Sequence, residues 1–220
     1  GVVWRRFRFG PRLPSWGLLF EVAVRVAATA LARVTPGIGG KDPLGLPVED
    51  LAAIRAATAP PVGVPNPVGR LVRRAEVQVG GCSGLWIEPR AGTVRRTILY
   101  LHGGGYFTCS VQTHLELMTR LALASGARVL GLDYRLAPEH PFPAALDDTV
   151  AAWLWLEAEG VDLGTAFVAG DSAGGGLALA TLVRLRDAGL RLPAGAVLMS
   201  PWVDLGGTDP SVTANVAMDY

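Results

Sequence analysis

Four short apolar stretches alternate with helix-like segments between residues 97 and 199. The stretches occupy 97–101, 128–133, 165–170 and 195–199. Strands that are apolar along their whole length are typical of a parallel sheet that is covered on both faces. Because each strand is followed by an amphipathic segment, the pattern predicts an α/β fold with a mostly parallel sheet and helices on both faces.

The segments between the strands carry recognisable helix signals. A helix is predicted over 110–124, where Thr113 and Glu116 have the spacing of a capping box. Pro143 is predicted to open a second helix. The face of this second helix that points to the core is predicted to hold Leu146, Val150, Trp153 and Leu154.

The sequence before residue 70 has a different organisation. Residues 1–60 predict a helical and irregular region, which ends in a proline-rich connector.

After this connector, alternating polar and apolar residues predict a strand over 75–79, with a partner strand over 85–89 across a glycine pair. The predicted domains are therefore an N-terminal helical region, 1–60, and an α/β core, 70–220.

Composition excludes several classes of function. The net charge of +1 gives no electrostatic case for binding nucleic acid. Cys82 and Cys109 are expected to be free thiols, and no metal cluster or dinucleotide motif is present, so no metal or cofactor is expected. Glu21 and Arg25 interrupt the apolar run after Trp16, which argues against a membrane span. A cytoplasmic protein with an amphipathic N-terminal helix is predicted, and a secretory signal is the alternative.

Two glycine-rich motifs follow predicted strands and carry the chemistry. Gly170-Asp171-Ser172-Ala173-Gly174 has the Gly-x-Ser-x-Gly spacing of a nucleophile elbow, in which a tight strand-to-helix turn exposes a serine hydroxyl. His102-Gly103-Gly104-Gly105 follows the strand that ends at residue 101. We expect Ser172 to be the nucleophile, and the N–H groups of Gly103, Gly104 and Ala173 to form an oxyanion hole. His102, Gly105 and Asp171 are expected to support these two turns; a plain flexible glycine turn is the alternative for 102–105.

A serine nucleophile needs a base, and no histidine follows Ser172 in the sequence. His102 is expected to make a structural hydrogen bond. His114 is expected to lie at the surface or to cap a helix, and His140 lies in a proline-rich turn. None of the three is predicted to be the base, because the order in this kind of fold is serine, acid, histidine.

The motifs resemble those of the hormone-sensitive lipase family of α/β-hydrolases over roughly residues 70–205. The residues that carry the resemblance are His102-Gly103-Gly104-Gly105-Tyr106, the run from Asp133 to Ala145, Gly170 to Gly175, and Ser200-Pro201-Trp202-Val203-Asp204-Leu205. The resemblance implies the α/β-hydrolase fold and a lipase-like esterase that cleaves carboxylic esters of short to medium acyl chains. It also implies that residues 1–60 form part of a helical cap over an acyl pocket.

The sequence departs from this family at its end. Family members continue further and carry two more strands, the rest of the cap, and the Asp and His of the triad. Asp187 and Asp204 are not assigned to the triad. We therefore expect an incomplete hydrolase with its C-terminal strands missing, weakly active or inactive alone. The alternatives are a non-catalytic small-molecule-binding protein on the same fold, and a homo-oligomer or another assembly formed through the incomplete sheet edge.

Overall fold

The structure, a computed structural model, describes residues 48–59, 67–206, 210 and 214. Contacts divide the chain into two compact units, of which Thr58–Gly207 contains the sheet and Gly1–Ala57 with Thr208–Tyr220 forms the other. In the second of these units the structure describes mainly residues 48–57, which belong to a helix, α1 (Val48–Thr58). Most of the predicted helical region lies outside the described residues, so the division into 1–60 and 70–220 stays a prediction.

A six-stranded mixed sheet forms the centre of the larger unit. Its strands are β1 (Val72–Val79), β2 (Cys82–Pro89), β3 (Thr97–Leu101), β4 (Arg128–Asp133), β5 (Ala166–Asp171) and β6 (Gly195–Met199). They lie in the order β1-β2-β4-β3-β5-β6. The pairs β1–β2 and β2–β4 are antiparallel, and β4–β3, β3–β5 and β5–β6 are parallel. The predicted mostly parallel sheet is confirmed, with the predicted hairpin at its antiparallel edge.

Three helices connect the parallel strands, namely α2 (Leu115–Ser125), α3 (Ala144–Ala158) and α4 (Ser172–Asp187). The predicted start of α2 at residue 110 is wrong. The Thr113 hydroxyl accepts a hydrogen bond from Ser110 N–H and donates one to Ser110 O, so it closes a turn before the helix begins. A capping box is therefore not formed, since this side chain is used in the turn.

Each face of the sheet has its own apolar core, because successive strand residues point to opposite sides. On one face, Leu99 and Leu101 pack with α3 and α4, and the fully buried Trp153 belongs to this cluster. On the other face, Ile98 and Tyr100 pack with Met118 of α2. Helices thus cover both faces as predicted, although Leu154, expected in the core, is 39% exposed.

The strand β6 lies at one edge of the described sheet and pairs on one side with β5. Its apolar residues are only partly covered, and Val197 is 45% exposed. The sequence predicted a fully buried strand here, and the exposure follows from the edge position. Among the described residues, no helix is both long enough and apolar enough to span a membrane.

A buried carboxylate links the loop after β4 to α3. The side chain of Asp148 is 6% exposed and receives three hydrogen bonds from the Arg135 guanidinium and one from the Arg135 N–H, at 2.7–2.9 Å. Burial alone would raise the pKa of Asp148. The hydrogen bonds from Arg135 outweigh burial and hold that pKa below its ordinary value.

We expect Asp148→Asn to lower the free energy of unfolding at pH 7 by about 1–3 kcal/mol, because charge-assisted hydrogen bonds to a buried group are lost. A carboxyl with a lowered pKa stabilises the fold fully above its ordinary pKa of about 3.9, and this stabilisation disappears as the pH falls through the lowered value. The difference in the free energy of unfolding between the parent and Asp148→Asn should therefore become smaller below about pH 4. Urea titrations at several pH values would measure this difference. Asp147→Asn, at the exposed neighbouring position, is the control. An equal loss of stability in that variant would contradict the attribution of the loss to the buried carboxylate of Asp148 and its hydrogen bonds.

Candidate active site

The predicted nucleophile lies at the junction of β5 and α4. Asp171 is the last strand residue and Ser172 the first helix residue, so the chain reverses without a connecting loop. Ser172 has a φ of +51°, in the left-handed region that non-glycine residues rarely adopt. Ser172 is exposed to solvent. A strained, exposed serine between strand and helix is the geometry of a nucleophile elbow.

The glycines on both sides of Ser172 let the elbow lie against the end of β3. A Cβ on Gly174 would collide with Leu101 O and would lie 2.6 Å from His102 O. A Cβ on Gly170 would lie 2.7 Å from Leu101 O. No side chain fits at either position without moving backbone. The small residues therefore bring the serine turn next to the glycine turn that follows β3.

The glycine turn contains two residues in the left-handed region. Gly104 has a φ of +121° and Gly105 a φ of +62°. The N–H of Gly103 donates a hydrogen bond to Asp171 Oδ1 at 3.0 Å. This donor is therefore already occupied. The contact speaks against the predicted oxyanion role of Gly103, whereas the roles of Gly104 and Ala173 stay predictions.

Asp171 connects the two turns. Its Oδ1 accepts hydrogen bonds from the Tyr100 hydroxyl at 2.6 Å and from Gly103 N–H, and its Oδ2 lies 3.3 Å from His114 Nε2. Burial would raise the pKa of Asp171, but the hydrogen bonds from His114, Tyr100 and Gly103 lower it. Burial and the contact with Asp171 raise the pKa of Tyr100, so its hydroxyl stays a donor. The carboxylate is thus ionised and held by three donors.

His102 is held by contacts with Tyr134 and with the backbone of the glycine turn. Its ring stacks on the Tyr134 ring with centroids 4.4 Å apart, and its Nδ1 lies 2.7 Å from Gly103 O. Burial lowers the pKa of His102, which favours the neutral ring. The Tyr134 hydroxyl donates to His102 O at 2.6 Å. These contacts fix the backbone where β3 enters the glycine turn.

The remaining candidates are distributed as follows. His114 is the N-cap residue of α2, the second of its two expected positions, although its side chain makes no capping hydrogen bond. Its side chain is 15% exposed, so the expected surface position is wrong. His140 lies on an exposed turn before α3. In the described part of the chain, no hydrogen bond joins any of the three histidines to Ser172. Asp187 pairs with Arg186 on the exposed end of α4, and Asp204 accepts a hydrogen bond from Gly206 N–H.

Sequence reasoning missed the contribution of Tyr100 and His114. A tyrosine hydroxyl in a fully buried strand needs a hydrogen-bond partner, and this signal was available for Tyr100. His114 is 57 residues from Asp171 in sequence, and no local pattern links the two.

Comparisons with known proteins agree with this fold. The family model for the alpha/beta hydrolase fold matches residues 98–220. An acetyl-hydrolase of Streptomyces hygroscopicus is 50% identical over 143 residues, which are 65% of this chain and 48% of that protein. A solved esterase from the bacterial hormone-sensitive lipase family is 40% identical with a TM-score of 0.70, over 87% of this chain and 63% of that one. The solved esterase EstE5, soaked with p-nitrophenyl butyrate, is 38% identical with a TM-score of 0.74, over 89% and 63%.

The chain belongs to the hormone-sensitive lipase-like family of α/β-hydrolases. It spans about half the length of the curated relatives that it matches.

Proposed function

We propose that the whole protein hydrolyses carboxylic esters of short to medium acyl chains, and that Ser172 is the nucleophile that carries the acyl group. The observation that carries this proposal is the exposed serine with a left-handed φ at the β5–α4 junction. Relatives named as an acetyl-hydrolase and as esterases support the reaction class. The soaking of EstE5 with a butyrate ester supports a short acyl chain.

The mechanism needs donors for the negative charge that develops on the substrate carbonyl oxygen. The N–H of Ala173 is available, because the first N–H groups of a helix have no partner within the helix. Its position at the N-terminus of α4 also favours negative charge. Since Gly103 N–H is taken by Asp171, we assign the other donors to Gly104 and the following Gly105. Each such donor lowers the barrier by about 3 kcal/mol in serine hydrolases.

The acyl-enzyme cycle requires a general base for the Ser172 hydroxyl. His102 and His114 are held by other partners, and His140 lies on an exposed turn. The proposal therefore assigns the base to none of these three histidines.

The test combines turnover with covalent labelling of the whole protein. We expect p-nitrophenyl acetate and butyrate to be cleaved faster than the decanoate ester. We also expect a fluorophosphonate to stop turnover while it modifies Ser172 alone, as read by peptide mass spectrometry. Turnover that continues with Ser172 fully modified would exclude the nucleophile assignment. Ester binding without turnover or labelling would instead indicate a binding protein.

A further inference from the structure

The carboxylate of Asp171 is the point where the serine turn, the glycine turn and the start of α2 meet. It directly precedes Ser172 in the chain. Its donors come from three separate segments: Tyr100 in β3, Gly103 in the glycine turn and His114 before α2. Its side chain is 25% exposed, and that of His114 is 15% exposed. The group therefore links the two turns in a partly dry environment, where charge-assisted hydrogen bonds are strong.

The two oxygens of this carboxylate have different partners. Oδ1 receives both Tyr100 and Gly103, whereas His114 is the one donor to Oδ2 that the described residues provide. Because an ionised carboxylate only accepts, His114 Nε2 must carry the proton in this contact. Oδ2 also fills the space beside Gly103, where it would collide with an added Cβ. Without the His114 donor, the carboxylate could rotate so that Oδ2 turns towards water. The same rotation would move Oδ1 away from the Gly103 N–H.

The second ring nitrogen of His114 fixes the ring orientation. Nδ1 lies 2.8 Å from the Thr113 hydroxyl oxygen, which accepts a hydrogen bond from Ser110 N–H. The single hydroxyl proton of Thr113 points either to Nδ1 or to Ser110 O, and both acceptors lie within hydrogen-bond distance of it. The turn that replaced the predicted capping box thus holds the histidine with Nε2 towards Asp171. His114 thus has a polar partner at each ring nitrogen, and these two contacts set the orientation of its ring.

From these contacts we infer that His114 is a positioning residue: through Asp171 it holds the Gly103 N–H, and so aligns the oxyanion donors of the glycine turn with Ser172. This inference rests on the proposed ester hydrolysis. The positioning by His114 affects mainly the transition state, because misaligned oxyanion donors weaken binding of the developing oxyanion more than binding of the substrate.

The kinetic test compares His114→Leu, which removes the donor, with His114→Gln, which keeps an N–H donor near the position of Nε2. In the whole protein, kcat for p-nitrophenyl acetate should fall about 10- to 100-fold in the leucine variant, with KM within about twofold. The glutamine variant should recover most of the loss. His140→Leu is the control on an exposed histidine and should keep the parent kcat. A leucine variant with unchanged kcat, or a glutamine variant equally impaired, overturns the inference.

A second measurement does not depend on turnover. Hydrogen exchange of the Gly103 amide, followed by NMR, should be about tenfold faster in His114→Leu than in the parent and in His114→Gln. Unchanged exchange at Gly103 overturns the inference even if the protein is an esterase. Accelerated exchange in a protein without Ser172-dependent turnover would keep the positioning contact and reject the proposed function. Tyr100→Phe, which removes the other side-chain donor, should also accelerate exchange at Gly103 and serves if the leucine variant does not fold.

Discussion

Replacement of Ser172 by alanine is expected to lower kcat for p-nitrophenyl acetate by roughly 10⁴- to 10⁶-fold, with a much smaller change in KM. The substitution removes the oxygen that would form the acyl-enzyme but leaves the turns and their donors in place. Alanine at a φ of +51° has about the same backbone strain as serine, so the fold should be kept. Steady-state kinetics together with thermal unfolding of the whole protein would measure both effects.

The chain offers a matched control for this substitution. Ser200 also has a left-handed φ, +44°, and also directly follows a parallel strand, β6. It is not followed by a helix start or flanked by the glycines of the elbow. Ser200→Ala should therefore keep kcat within about threefold of the parent, the range of ordinary substitutions away from the chemistry. A Ser172→Ala protein that retains more than about one hundredth of the parent kcat would exclude the acyl-enzyme assignment.

The strands of this fold could be predicted closely because each is a short apolar run that ends in turn residues. The bounds of β3 and β4 coincide with the predicted 97–101 and 128–133. Helix details were less predictable. Thr113 could cap a helix or close a turn, and only the surrounding backbone decides between the two. Leu154 directly follows Trp153 in the sequence, and helical spacing did not show that only the tryptophan of this pair is buried.

The candidate site divides in the same way. The strand–turn–helix context of Ser172 is local in sequence, and the structure has the predicted turn there. The occupancy of Gly103 N–H could not be predicted, because its acceptor lies 68 residues away on the other turn. The contact between His114 and Asp171 depends on how α2 packs on the sheet, which is a property of the assembled fold. Local motifs thus indicate the chemistry, while the alignment of the donors requires the tertiary structure.

Trp153→Ala is expected to give the largest loss of stability, about 3–5 kcal/mol in the free energy of unfolding. The side chain of Trp153 has a relative exposure of 0% and belongs to the core cluster that includes residues of α3, α4 and the strands. Removal of this side chain would leave a cavity in that core. It would also leave Arg191 O without the indole N–H that donates to it at 2.9 Å. Urea unfolding followed by circular dichroism would measure the change.

Two further substitutions separate the causes of this loss. Trp153→Phe keeps most of the apolar volume but removes the donor, so it should cost less, about 1–3 kcal/mol. Leu154→Ala removes a large apolar side chain from the adjacent position of the same helix, where it is 39% exposed, and should cost no more than about 1 kcal/mol. If Leu154→Ala were as damaging as Trp153→Ala, α3 would pack on the sheet through a different face. A small loss for Trp153→Ala together with a large one for Trp153→Phe would contradict the cavity argument, because the smaller side chain must leave the larger void.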